Sequence, residues 1–188
     1  MPPRLGRRFL PAAAIVVLLA VPAPPLGAEE QPQLLPTRDV DITYKVTRAR
    51  QRPISERVRW SAGAHLERID GPNRSSSIFD REAKEVTLLN GATRTYTKLE
   101  GTPRRPSEPD KDAALKRGGE AVVARQHCVE WSWTEDAETH TICMTADGVL
   151  LRLVVDSQTV MEARSVRYRQ QPLELFRVPN NYAPALGH

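Results

Sequence analysis

The chain lacks most of what enzymes use. It has no Gly-rich phosphate loop, no Gly-x-Ser-x-Gly elbow and no His-Glu-x-x-His. Those absences exclude P-loop nucleotide chemistry, the α/β-hydrolase nucleophile and the common zinc hydrolases. Histidines number four, His65, His127, His140 and His188, and they are scattered. His127 and His140 are expected to face each other across a hairpin. Two imidazoles without a third ligand or a carboxylate make neither a metal site nor a catalytic dyad. The acid pairs Glu135–Asp136 and Asp39–Asp41 read as a turn and a solvated strand face. No catalytic residue, no metal and no cofactor is expected, and the chain is read as not an enzyme.

Lysine is scarce: Lys45, Lys84, Lys98, Lys111 and Lys116 are the only five of 27 basic residues. Arginine in their place is a codon signature of a GC-rich bacterial genome. Long apolar runs are scarce too. The one present, Leu10–Val21, follows Arg4, Arg7 and Arg8 and is broken by Pro22, Pro24 and Pro25. A spanning helix needs about 20 apolar residues. A basic start, a short apolar run and a small residue before a polar stretch describe a secretory signal peptide instead, residues 1–28, cut after Ala28. No cysteine follows the run, which argues against a lipid-modified N-terminus.

Removing that segment takes three arginines. The remaining 24 basic residues face 23 acids, so a formal charge of +4 becomes about +1. A pI near 9.3 is therefore no sign of nucleic-acid binding, which usually shows a basic stripe or face. The chain is expected in the periplasm of a Gram-negative bacterium, or secreted, with no membrane span after cleavage. Its two cysteines, Cys128 and Cys143, agree with an oxidising compartment, where an even count reads as a disulfide. A metal pair or a catalytic thiol are the alternatives.

What the sequence does contain is alternation. Val40, Ile42, Tyr44 and Val46 are apolar between Asp39, Asp41, Thr43 and Lys45, a strand with one dry and one wet face. Ile54, Val58, Trp60 and Ala62 repeat the pattern, with Glu56 the exception. Shorter strands follow to Leu99, with hairpin signals at Gly71-Pro72-Asn73 and Asn90-Gly91. Residues 101–119 carry Pro103, Pro106 and Pro109 and read as a loop or a lid with a short helical piece around 110–117. Val129, Trp131 and Trp133 then share one parity, Ile142 and Met144 another strand's dry face, and both cysteines the opposite side. After Asp147-Gly148, strands 149–155 and 159–168 complete a mainly β antiparallel meander of nine or ten strands, with at most one or two short helices. Residues 29–37 read as a flexible lead-in, 38–183 as a single domain and 184–188 as a tail.

A single sheet with one dry face must cover it. Val40, Ile42, Tyr44, Val58, Trp60, Val129, Trp131, Trp133, Leu151 and Leu153 form that face. One reading is a self-filled sandwich or barrel core. The other is a concavity left partly open for an apolar ligand, a lipid or an acyl chain. A second feature is the basic run Lys45, Arg48, Arg50, Arg52, Arg57 and Arg59, either a solvated hairpin tip or a docking patch for anionic head groups or an acidic partner.

The succession Cys128-Val129-Glu130-Trp131, Cys143 to Arg152, Met161-Glu162-Ala163 and Pro172 to Tyr182 resembles a group of alphaproteobacterial periplasmic proteins. The ending, Pro172-x-x-Leu175-Phe176-x-x-Pro179-x-x-Tyr182, is similar to one found among LolA-like outer-membrane lipoprotein carriers. The resemblance covers about residues 38–183. It departs at Ala124-Arg125-Gln126-His127, where the group has a Gly-rich turn, and at Pro179-Asn180-Asn181-Tyr182, where it has Pro-Ala-Gly-Tyr. It implies a strongly curved antiparallel half-barrel with a loop or helix in its concavity, which in the carriers holds acyl chains. The functional expectation is a periplasmic binding module for an apolar ligand. The alternative is an envelope accessory protein acting through protein contacts.

Overall fold

A computed structural model describes residues 31–101, 105 and 107–185. The expected signal peptide, the first two residues of the lead-in, residues 102–104 and 106 of the expected loop and residues 186–188 lie outside the described residues. Twelve strands make one sheet: β1 (Val40–Val46), β2 (Ile54–Ser61), β3 (Leu66–Asp70), β4 (Ser75–Asp80), β5 (Glu85–Asn90), β6 (Thr95–Glu100), β7 (Lys116–Val123), β8 (Gln126–Glu135), β9 (Glu138–Met144), β10 (Leu150–Val155), β11 (Gln158–Tyr168) and β12 (Ala183–Pro184). Their spatial order is β12-β6-β5-β4-β3-β2-β1-β11-β10-β9-β8-β7. Two meanders of consecutive hairpins, β1–β6 and β7–β11, thus meet where β1 pairs with β11. The sheet is curved and open. It is antiparallel except for the two-residue β12, which runs parallel to β6.

This is the expected mainly β half-barrel, with more strands than nine or ten. The additions are β7 and β12. The helical piece expected over 110–117 is absent, since residues 110–115 are irregular and Lys116 opens β7. Ala113, Ala114 and Leu115 offer too little apolar surface to seat a helix, and Gly118-Gly119 disfavours one. The segment pairs instead with β8 as an edge strand, bulged between Arg117 and Glu120. Its exposed charges are of the kind that keep a sheet edge from pairing with strangers.

The apolar alternation sets the register. Val40 and Ile42 of β1 face Trp60 and Val58 of β2. On their other side Tyr44 and Val46 face Ala163 and Met161 of β11, after a bulge between Thr43 and Tyr44. A one-residue slip would turn each of these rows outward, which is what fixes the pairing. In the second meander Trp131 faces Ile142 and Trp133 faces His140. Both cysteines take the opposite parity and form a disulfide, with Cα atoms 5.4 Å apart. His140 therefore does not face His127. His127 pairs with Val122 of β7, because the turn that sets the β8–β9 register matches His140 to Trp133.

The C-terminal phrase has a structural task. Leu173–Phe176 form a 3-10 turn. Phe176 is buried on Ile78 and Leu89, and Leu66, Tyr96, Leu175, Val178 and Tyr182 pack around them. Arg68 Nη1 donates to the Leu175 carbonyl at 2.8 Å. These residues cover the face of β3–β6 opposite the row Trp60, Glu67, Phe79, Val86, which the strand registers place on one side. The other side is where the cavity lies.

A candidate ligand cavity

The dry face of the sheet encloses a cavity of about 1010 Å³. That is at the upper end of the roughly 300–1,000 Å³ usual for small-molecule sites. Strand β1 supplies Val40, Ile42, Tyr44 and Val46, β2 supplies Val58 and Trp60, and β10 and β11 supply Leu150, Leu153, Val155 and Met161. Tyr44 is buried, and its hydroxyl donates to the Leu150 carbonyl at 2.6 Å. Burial pushes its pKa well above the ordinary phenol value, so Tyr44 stays a neutral donor.

One end is closed by the lead-in. Leu34 and Pro36 line the cavity. Thr37 N donates to the Asp147 carbonyl at 2.9 Å, and Trp60 Nε1 to the Pro36 carbonyl at 2.7 Å. Gly148 holds φ at +87°, and a Cβ there would overlap the Leu35 carbonyl. Glycine serves both needs, the positive φ and the close approach. The other end is a mouth built by the turns between β1 and β2 and between β10 and β11, with Arg48, Arg50, Gln51, Asp156 and Gln158 around it.

Of the ten expected site residues, six line this cavity: Val40, Ile42, Tyr44, Val58, Trp60 and Leu153. Val129, Trp131, Trp133 and Leu151 do not. Trp131 and Trp133 are buried with Ile142 and Met144, and Val129, Leu34, Ala113 and Leu115 pack against them. Leu151 is fully buried in the main cluster beside both cysteines. The basic run divides. Arg48 and Arg50 line the mouth, where Arg48 Nη2 meets Glu56 at 3.2 Å, while Lys45 and Arg52 are exposed. Arg57 forms a two-bond fork on Asp41 at 2.8 and 2.7 Å, and Arg59 pairs with Asp70. The sequence-local count of a single opposing acid missed these partners, because they arrive from β1 and β3.

Two residues that the pattern did not flag shape the cavity most. Glu67, 1% exposed, sits in the dry row between Trp60 and Phe79. Arg105, from the loop before β7, reaches in and pairs with it. Arg81 Nη2 lies 3.2 Å from Glu67 Oε2 and 2.7 Å from Glu108 Oε1. Arg105 Nε and Nη2 reach Glu108 Oε1 at 2.9 and 2.8 Å. Burial works against the charge on Arg105, and Glu67 and Glu108 more than offset it, so its pKa is raised. Burial likewise opposes ionisation of Glu108, but Arg105 and Arg81 hold its pKa below the usual carboxylate value. Glu67, Arg105 and Ser107 line the cavity, giving an apolar chamber one charged pole. The readable signal for Glu67 was a carboxylate standing on the parity of Ile69.

His140 also lines the cavity, stacked on Trp133 with ring centroids 5.0 Å apart. A second, shallower hollow of about 580 Å³ lies beside Arg38, Tyr168 and Arg169. Its arginines are engaged: Arg38 with Asp147 at 2.6 Å and Arg169 with Asp41. Among the described residues no group of three or more His, Cys, Asp or Glu is placed to hold a metal, and no helix is long and apolar enough to cross a membrane.

No protein-family model and no curated protein matches the chain. Solved structures do. An uncharacterized conserved protein from Thermus thermophilus is similar with a TM-score of 0.56 at 14% identity, over 78% of this chain and 90% of that one. The Pseudomonas aeruginosa MucA/MucB complex gives 0.55 at 14% identity, over 76% of this chain and 56% of that one. MucB alone gives 0.52 at 14% identity, over 77% and 58%. The chain thus spans somewhat more than half the length of the MucB chains, and the likeness is one of fold.

Proposed function

We propose that this chain is a non-enzymatic binding module of the bacterial envelope whose concave cavity takes an apolar ligand, a lipid or a lipoprotein acyl chain. The cavity carries the reading. A chamber of about 1010 Å³ walled by strand rows of Val, Ile, Leu and Met is costly to leave to water and suited to an alkyl chain. The disulfide supports an oxidising compartment. The non-enzymatic role is supported by the pairing of two charged groups of the lining, Glu67 and Arg105, with each other.

The test is direct. The purified mature protein is extracted for lipid, and the stripped protein is titrated with Nile red, a neutral apolar dye. Saturable binding that Val46→Trp at the cavity wall abolishes is the expected result. A protein that purifies free of lipid and ignores the dye sinks the reading. A second reading, action through protein contacts, draws on the structure of similar MucB together with MucA. Cross-linking in envelope extracts that captures one partner, unaffected by Val46→Trp, would favour it.

A further inference from the structure

We infer that the cavity's ligand is an amphiphile with a zwitterionic head group, bound tail inward with that head across the mouth. The inference rests on the apolar-ligand reading and names the ligand class. Charge at the mouth is sorted by side. The strands alternate in direction, so the turns β1–β2, β3–β4 and β5–β6 lie at the mouth end, as do β8–β9 and β10–β11. In the first meander the charged residues of those turns are arginines alone: Arg48, Arg50, Arg52, Arg74 and Arg94. In the second they are Asp136 and Asp156, with Glu138 opening β9. All of these side chains are exposed.

Arg48, Arg50, Glu138 and Asp156 line the cavity. Arg48 is balanced by Glu56, 3.2 Å away and also in the lining. That leaves Arg50 on one side of the mouth and Asp156 and Glu138 on the other, with no ion pair joining the two sides among the described residues. Asp156 Oδ1 accepts the Thr139 amide at 2.9 Å, which fixes the carboxylate without supplying a cation. The sides are close enough for one head group. Thr47 N donates to the Val160 carbonyl at 2.8 Å, tying the basic turn to β11, and Asp156 sits in the turn from β10 into β11. Neighbouring strands lie about 5 Å apart, so the two turns are separated by roughly 5–10 Å, a gap that their side chains and a short head group bridge. Away from the mouth, the charged residues of the lining are Glu67 and Arg105, which pair with each other. A charged head carried inward would lose water without gaining a free counter-charge. At the mouth, an anionic head gains Arg50 but stands against Asp156 and Glu138, and a neutral head uses neither side. A head with its anion towards Arg50 and an ammonium towards Asp156 makes charge-assisted contacts on both sides and adds no net charge.

Isothermal titration of lipid-stripped protein with three oleoyl lipids tests this: lysophosphatidylethanolamine, which is zwitterionic, lysophosphatidylglycerol, which is anionic, and neutral monoolein. The zwitterion should bind about fivefold tighter than either of the others, the modest factor that solvent-exposed charge contacts allow. Arg50→Gln should weaken both phospholipids and leave monoolein unchanged. Asp156→Asn combined with Glu138→Gln should weaken the zwitterion and tighten the anionic lipid, a change of opposite sign that a loss of fold would not produce. Equal affinity for the three lipids, or a preference for either of the other two, overturns the inference and leaves the apolar-ligand reading standing. A preference for the zwitterion that survives all these substitutions overturns the placement of the head at the mouth. If none of the three binds the wild type, the functional reading itself fails.

Discussion

Among the described residues, replacing Arg105 with methionine leaves Glu67 and Glu108 facing one guanidinium, a buried excess of one negative charge. Replacing Glu67 with methionine leaves Arg105 and Arg81 on Glu108, an excess of one positive charge. Breaking a well-buried pair from one side costs about 3–5 kcal/mol. Here the figure should be smaller, about 2–3 kcal/mol, because the Arg105 side chain keeps 24% of its exposure and Arg81 stays with Glu67. For a domain of this size, that lowers the thermal midpoint by roughly 4–12 °C. The double variant restores charge balance, with Arg81 on Glu108, and replaces the lost pair by side chains of similar bulk. Such replacements of buried pairs are often neutral or stabilising, so the double variant should lie within about 1 kcal/mol of wild type. Urea unfolding of the four proteins reads the cycle. Single variants that cost under about 0.5 kcal/mol, or whose costs simply add in the double, would refute the coupled buried network.

Three other outcomes follow from local features. Native protein should show no free thiol, and Cys128→Ser with Cys143→Ser should cost roughly 3 kcal/mol for the closed 15-residue separation; thiol labelling and urea titration check both. The hydrogen-bonded Arg57, helped by Arg169, holds Asp41 below its ordinary pKa against burial. A depressed carboxylate stabilises fully above its unfolded value near 3.9 and loses that contribution as pH falls through the folded value. Asp41→Asn should therefore be less stable at pH 7, the gap closing below about pH 4; parallel stability–pH curves would contradict this. Gly148→Ala should destabilise by more than about 1 kcal/mol and loosen the lead-in, visible as faster hydrogen exchange at Thr37.

Most strands were legible because hairpin turns and period-two alternation are local signals. The rows of β1, β2 and β8 to β10 could be read residue by residue, and with them the shared parity of the cysteines. The curvature could not be read. It decides that Trp60 and Leu153 border a chamber while Trp131 and Trp133, equally apolar and on the same parity, are packed solid. Strand β7 escaped because its charges and Gly118-Gly119 hide a strand whose face is mostly exposed. Glu67 and Arg105 escaped for a different reason: they are 38 residues apart, and only the folded loop brings them together. The C-terminal phrase was visible as a motif. Its work as a cover for β3–β6 depended on knowing which face was bare.

The pairing of β1 with β11 has a consequence for how the molecule is made. Val40, which opens β1, lies beside Tyr168, which ends β11, whereas the other antiparallel pairs join neighbours in sequence. A chain synthesised from its N-terminus can complete the hairpins from β1 to β6 early. It cannot complete the chamber, since one flank of β1 stays unpaired until β11 has emerged. That late, distant closure carries the largest loop-entropy cost in the fold. Until it happens, an apolar row ending in Tyr44 and Val46 stands at an open edge, the stage at which the chain is most exposed to strand partners other than its own.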